Sequence, residues 1–307
     1  MSNPLKGRPE HSADHFGDER DYWWHDDFIA HVARRWGLDQ PSVGIVLDVG
    51  CGVGHWSRLL SRALPAHARI VGIDRERAWA REATNRAEKA GLATRAAFGV
   101  STAESLPFRD GAFDLVTCQT LLIHVRDPAA VLAEMIRVTR PGGWILTSEP
   151  TNVGAPLIDG VALGQSPDEI TTLVNALLTC ARGKKALGLG DVLIGESLPG
   201  LFARASLRDI EVRQNDRTAR LVPPYESPAE RATVDEELDA DEAARAIWDE
   251  STTRRYWLAG GGESSRFAAV WEAARVQRRK VADAIRAKTF ARAGGTLHYL
   301  VCGRRPD

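Results

Sequence analysis

The stretch VLDVGCGVGHWS, residues 46–57, decides how the rest of the chain is read. An apolar run ends in Asp48, glycines follow at positions 50, 52 and 54, and the residues beyond them look helical. Strand, glycine turn and helix in that order is how a site for a nucleotide-derived cofactor begins. Outward from it, strands and helices alternate. Residues 44–50 read as a buried strand and 55–64 as a helix. A second strand covers 68–75, and the helix 78–91 closes on Gly91. Strands follow at 94–102 and, after the turn RDGA, at 113–120. The helix 127–140 opens on Asp127-Pro128, a capping residue with proline at the first helical position, and PGG turns the chain into a strand at 144–150. Five apolar strands separated by helices imply a parallel, doubly wound sheet.

Before this block, DYWWHDDFIAHVARRWGL reads as an aromatic helix with Trp24, Phe28, His31, Val32 and Trp36 at helical spacing and Gly37 ending it. Residues 1 to 20 are polar and are expected to be mobile. After Pro150 come a helix near 167–183 and a helix–strand pair within 198–214. Residues 227–291 are then almost wholly helical, interrupted by AGGGES, and GGTLHYLVCGRRP is a last strand. Positions 267, 270, 271, 274, 277, 281 and 285 step by three and four, so that helix has one apolar face to pack. The glycines at 260–262 serve either as a hinge or as a helix–helix turn.

A chain of 307 residues with 44% hydrophobic content suits one large domain, or one with a substantial insertion. Forty basic and 41 acidic residues nearly cancel, so no global field favours nucleic acid or an anionic membrane. The first residues lack an apolar core and do not read as a signal peptide. No apolar run approaches the roughly 20 residues of a membrane span. Cysteines 51, 118, 180 and 302 have no close pairing and no zinc spacing. Cys118 and Cys302 lie in strand-like runs as buried thiols, which suits a cytoplasmic protein without a metal.

Which cofactor the turn accepts follows from its spacing and charge. A dinucleotide pyrophosphate asks for Gly-x-Gly-x-x-Gly. Here Gly50, Cys51 and Gly52 fit, but His55 stands where the third glycine belongs, and glycine falls at 54 instead. Asp48 at the strand end repels a diphosphate and suits an ammonium group. S-adenosylmethionine has an α-amino group and no phosphate, so the turn fits it better.

From Val46 to Pro150 the chain resembles the class I S-adenosylmethionine-dependent methyltransferases, similar to the ubiquinone/menaquinone-biosynthesis type. VLDVGCGVG resembles their first motif and IVGIDRE their second strand. STAESLPFRDGAFDLVTCQTLLIHV and VLAEMIRVTRPGGWILTSEP resemble the blocks that follow. The resemblance implies a doubly wound, Rossmann-like, seven-stranded and mostly parallel sheet whose last strand is antiparallel, with an N-terminal helix and a helical cap insertion. It divides the chain into an N-terminal tail and lid helix (1–40), a cofactor domain (41–223 with 294–307) and a cap (224–293). It also assigns S-adenosylmethionine to Asp48, Gly50, Cys51, Gly52 and Gly54, with Asp74 and Arg75 at the ribose. Thr102, Ala103 and Glu104 would face the adenine, Gln119 the amino acid tail, and Tyr22 and Trp23 would cover the site. Relatives often carry aspartate where Thr102 stands, so the adenine contact departs from the family pattern.

Each assignment has a purely structural rival. Asp48 can serve the glycine turn, Asp74 can cap the next helix, Ala103 and Glu104 can belong to a polar turn, and Gln119 can fill the pocket floor. Trp24 can be core, and the aromatics Tyr225, Trp248, Tyr256 and Trp257 can be the cap's own core. His124, just past strand four, and Glu149, ending strand five, are the candidates for a base or orienting group. Each can also be a packed histidine or a local acceptor. The activity so implied is methyl transfer to an oxygen, nitrogen or carbon of a small molecule by a monomer or homodimer, without nucleic acid or membrane. The rivals are a nicotinamide oxidoreductase, a non-catalytic S-adenosylmethionine-binding regulator or partner subunit, and a peptide or protein methyltransferase.

Overall fold

The computed structural model describes residues 17–246, 248–295 and 297–307; the expected polar tail lies mostly outside them. The chain forms two compact units. One, the sheet unit, comprises Trp24–Pro150, Ile194–Asp216 and His298–Asp307. The other, the helical unit, comprises, among the described residues, 17–23 together with those of Thr151–Leu193 and Arg217–Leu297.

The sheet unit starts with α1 (Asp26–Trp36), β1 (Ile45–Val49), α2 (His55–Leu60), β2 (Arg69–Asp74) and α3 (Arg77–Lys89). It continues through β3 (Ala96–Val100), β4 (Phe113–Gln119), α4 (Pro128–Val138) and β5 (Thr139–Thr151). The chain then supplies α5 (Ala155–Ala162) and α6 (Pro167–Ala186) to the helical unit and returns with α7 (Leu198–Arg204) and β6 (Arg208–Gln214). A second passage contributes β7 (Ala219–Leu221), α8 (Pro228–Glu242), α9 (Glu250–Ala259), α10 (Phe267–Arg286) and β8 (Arg292–Gly294), before β9 (Leu297–Arg304) closes the sheet.

The seven strands lie in the order β3-β2-β1-β4-β5-β9-β6. β1 pairs in parallel with β2 and β4, β2 with β3 and β4 with β5, while β6 and β9 are antiparallel. The central strands are unbroken apolar runs because helices cover both faces of a parallel sheet. Val46, Leu47, Val49, Leu115, Val116, Cys118, Ile145 and Leu146 are all buried. The strand order reverses between β1 and β4, so the crevice beyond their carboxyl ends is where such a sheet receives ligands.

Helix ends follow their sequence signals. Gly37 adopts φ 70° and its N–H bonds back onto Ala33 and Arg34, closing α1. Asp127 accepts from the amides of Ala129 and Ala130 at 3.0 Å to open α4. The aromatic helix expected over 21–38 is in fact two pieces. A 3₁₀ turn covers Gly17–Tyr22, and α1 begins only at Asp26. Extended His25 interrupts it: its backbone N–H and its Nδ1 both engage Asp216, at 3.3 and 2.6 Å. Trp24 accordingly packs in the sheet unit, with ring centroids 6.2 Å from Phe28, 5.9 Å from Trp56 and 5.8 Å from His298.

The helical unit takes in more chain than residues 224–293, because α5 and α6 pack with α9 and α10. Its cores include Tyr256, Trp257, Phe267 and Cys180 on one side and Leu221, Tyr225, Val281 and Phe290 on the other. A Cβ on Gly183 of α6 would lie 1.8 Å from the carbonyl oxygen of Tyr256, and one on Gly260 would lie 1.9 Å from that of Thr179. The helices α6 and α9 therefore cross with backbone against backbone. Gly262 lies under the Trp257 ring, whose Nε1 donates to the Glu263 carbonyl at 2.9 Å. Packing thus accounts for the glycine stretch as a tight helix–helix turn. β7 and β8 form a separate two-stranded ribbon.

Candidate functional site

The site is built where β1 ends. Gly50, Gly52 and Gly54 have φ of 68°, 53° and 81°, a left-handed conformation that residues with a Cβ adopt at a cost of roughly 1–2 kcal/mol each. Gly50 has a second reason to lack a side chain, since a Cβ there would come within 2.7 Å of Leu121 Cδ1. Gly54 serves in place of the missing third glycine. It precedes α2 directly, and its bare Cα packs against Ala83 of α3 and Phe98 of β3. His55 then bridges outward, its Nδ1 3.0 Å from Arg58 and its Nε2 3.4 Å from Arg86.

Two carboxylates face this turn from adjacent strand ends. Asp74 Oδ2 accepts from the Gly52 amide and Oδ1 from the Glu76 amide, both at 2.9 Å, and the residue remains partly exposed. Each oxygen keeps lone-pair capacity for a further donor, as a ribose diol requires. Burial raises Asp74 above the ordinary carboxylate range, despite those amide bonds. Asp48 is 1% exposed, and its Oδ2 accepts from Ser57 Oγ at 2.5 Å. Its Oδ1 is buried with no hydrogen-bond partner among the described residues. Burial pushes Asp48 up to about 7, with the neighbouring Asp74 charge adding to the rise. An orphaned carboxylate oxygen beside a second acid is a place for a cation and not for a diphosphate. The residues fit S-adenosylmethionine on that ground. Cys51 lies between them as a buried thiol that burial and both acids hold well above its usual range, so it is no nucleophile.

The neighbouring loops close round the same place. Ser101 N donates to the Asp74 carbonyl at 3.1 Å, which fixes Thr102, Ala103 and Glu104 beside the end of β2. Ala103 is buried, whereas Thr102, Glu104 and Arg75 are exposed. Gln119 is buried at the end of β4. Glu149 is fully buried, and burial pushes its carboxyl up to about 7. Its Oε1 accepts from the amides of Leu121 and Leu122 at 2.9 and 2.8 Å, and its Oε2 from Ile123 at 3.3 Å. With those partners it organises the 3₁₀ turn Leu122–His124 and sets Leu121 against Gly50. The carboxylate so engaged is an acceptor for backbone. His124 is partly exposed at the end of that turn.

The sheet unit thus brings together the turn, Asp48, Asp74, residues 102–104, Gln119, His124 and Glu149. Tyr22 and Trp23 belong to the helical unit, where Arg217 stacks over Tyr22 at 5.2 Å and Arg20 over Trp23 at 5.3 Å. Sequence reasoning missed Thr120, which follows β4 with φ 53° and a buried hydroxyl that has no partner among the described residues. A threonine held left-handed is uncommon, and strained residues of this kind cluster at functional sites. It also missed Gly72, where a Cβ would lie 2.4 Å from Phe98 and 3.1 Å from Cys51, directly beneath the turn.

Residues 46–143 match a family model described as a methyltransferase domain. That segment is similar to a methyltransferase domain and carries the glycine turn, Asp48 and Asp74. Methyltransferase GfsG of Streptomyces halstedii is 29% identical to the chain over 192 residues, 62% of this chain and 63% of that protein. The demethylmenaquinone methyltransferase of Lactiplantibacillus plantarum is 34% identical over 116 residues, 38% of this chain and 49% of that one. The chain therefore spans less than two thirds of these relatives' length, and the methyltransferase domain is what they share. Among solved structures, the [4+2]-cyclase SpnF aligns over 92% of this chain and 80% of its own, with TM-score 0.51 and 22% identity, a likeness of fold. Among the described residues no helix is long and apolar enough to cross a membrane, and no cluster of side chains has the make-up of a metal site.

Proposed function

We propose that the protein transfers a methyl group from S-adenosylmethionine to an oxygen, nitrogen or carbon nucleophile of a small molecule. The observation that carries this reading is the orphaned Asp48 oxygen behind a left-handed glycine turn that Asp74 pins through Gly52. The cofactor's sulfonium makes its methyl group electrophilic, so the acceptor lone pair forms the new bond while the carbon–sulfur bond breaks and sulfur keeps that pair. The protein's own part is placement. Asp48 takes the ammonium group, Asp74 the ribose hydroxyls and Ala103 the adenine edge, with Thr102, Glu104 and Arg75 around it and Gln119 at the amino acid tail. Orientation of this kind is worth roughly 7–11 kcal/mol of barrier. His124 orients the acceptor or takes its proton, and Glu149 positions His124 through the 3₁₀ turn.

The four cysteines are free and buried, which favours a reducing compartment, and we place the protein in the cytoplasm as a monomer or homodimer. The test is incubation with methyl-labelled S-adenosylmethionine and a panel of small acceptors. Label in a product, with S-adenosylhomocysteine formed one for one, supports the reading. Tight cofactor binding with no turnover across the panel would instead support a non-catalytic binder. His124→Ala is expected to lower turnover by about 10²–10⁴ while cofactor affinity stays nearly intact; an unaltered rate removes it from the chemistry.

A further inference from the structure

The helical unit contains a pocket of its own. It measures about 110 Å³ and is walled by α5, α6, α10 and the approach to α9, with Leu173, Leu177, Val270, Trp248 and Trp271 among its lining. The two tryptophans are fixed in place: Trp248 meets Tyr256 edge-on at 5.0 Å, and Trp271 stacks on Phe267 at 6.4 Å. Both stay partly exposed although each is packed on one side, so apolar ring surface is left for a guest.

The polar groups on the wall are committed elsewhere. Gln277 Nε2 donates to the Pro156 carbonyl at 3.2 Å and to Gln165 Oε1 at 2.8 Å. Arg278 is bonded to Glu237 and to the Ala246 carbonyl, and Asp159 to Arg292, which also holds Glu237. Thr253 Oγ1 donates to the Asp249 carbonyl at 2.7 Å. The Cys180 thiol, pushed up to about 12 by burial, points to the Thr253 carbonyl. A charged guest would compete with these pairs and give up its own hydration, whereas hydrocarbon disturbs none. A dry apolar cavity of about 150 Å³ accepts benzene, so this pocket, of similar size, takes a ring or a short branched chain.

We propose that the helical unit binds an uncharged, apolar ring or branched alkyl group in this pocket. Toluene is the probe, followed by saturation-transfer NMR on the full chain, with benzoate and benzylammonium as charged counterparts. Toluene is expected to bind at least tenfold more tightly than either ion. Ala274→Leu and Ala176→Leu, which fill the pocket from α10 and α6, should each weaken it at least tenfold while S-adenosylmethionine affinity, measured by calorimetry, is unchanged. Absence of toluene binding to the wild type, equal binding by both filled variants, or equal binding of the ions overturns the pocket assignment.

Discussion

Asp48 carries the greatest electrostatic burden of any residue at the site. Held at about 7 against an ordinary 3.8, it stays protonated in the folded chain over a range where the unfolded chain has released its proton. Stability from this group is therefore fully present below about pH 4 and is lost as pH rises towards 7, by on the order of 4 kcal/mol. A cofactor ammonium reverses the sign for the bound form, since it favours the ionised carboxylate. The gain in Tm on adding S-adenosylmethionine should grow between pH 5.5 and 7 and level off above, and Asp48→Asn should flatten that dependence. A pH-independent gain in the wild type would put the ammonium elsewhere. Asp74→Ala should weaken cofactor binding by about 2 kcal/mol or more, because it removes the proposed ribose acceptor and frees the Gly52 amide; calorimetry decides. Both acids were legible from residue type and spacing. The orphaned oxygen of Asp48 and the left-handed Thr120 were not, because burial and φ at those positions depend on neighbouring strands.

Among the elements, those whose signals are local were legible and those fixed from afar were not. Gly37 and Asp127-Pro128 terminate and open their helices through contacts within four residues. The break at His25 depends on Asp216, 191 positions away, so no pattern near Trp23 and Trp24 could announce it. The role of Glu149 was equally remote from its own strand, lying in three amides beyond β4. Glu149→Gln keeps its shape but replaces one acceptor oxygen with an NH2 group, which then faces at least one of those donors. It is expected to cost about 1–3 kcal/mol in chemical denaturation, and to lower turnover more than cofactor affinity. Loss of cofactor binding alone would mean that the 3₁₀ turn serves the glycine loop and not His124. In the helical unit, Gly183→Ala forces α6 and α9 apart and should cost about 3 kcal/mol or more, read as a lowered Tm. A neutral outcome would contradict the backbone contact.

At the scale of the whole molecule, the alternation of apolar strands and helices was enough to foretell the parallel, doubly wound sheet, and the family resemblance supplied its antiparallel final strand. The extent of the helical unit was not foretold. α5 and α6 carry ordinary amphipathic patterns, and which core they join is decided by contacts rather than by composition. Because the two units have separate cores, cofactor binding should protect them unequally. At a hundredfold excess over Kd, S-adenosylmethionine adds about 2.7 kcal/mol to the fold. Hydrogen exchange should show the added protection at β1, β2 and β4, and little in α9 and α10. Uniform protection would mean that the two cores melt as one.

The backbone visits the helical unit on three separate occasions and threads the sheet in between. That unit is consequently no cassette. Grafting it onto a related scaffold would take three coordinated transplants with every junction in register, and a single-segment swap would leave α6 without the glycine after α9 that it nests against.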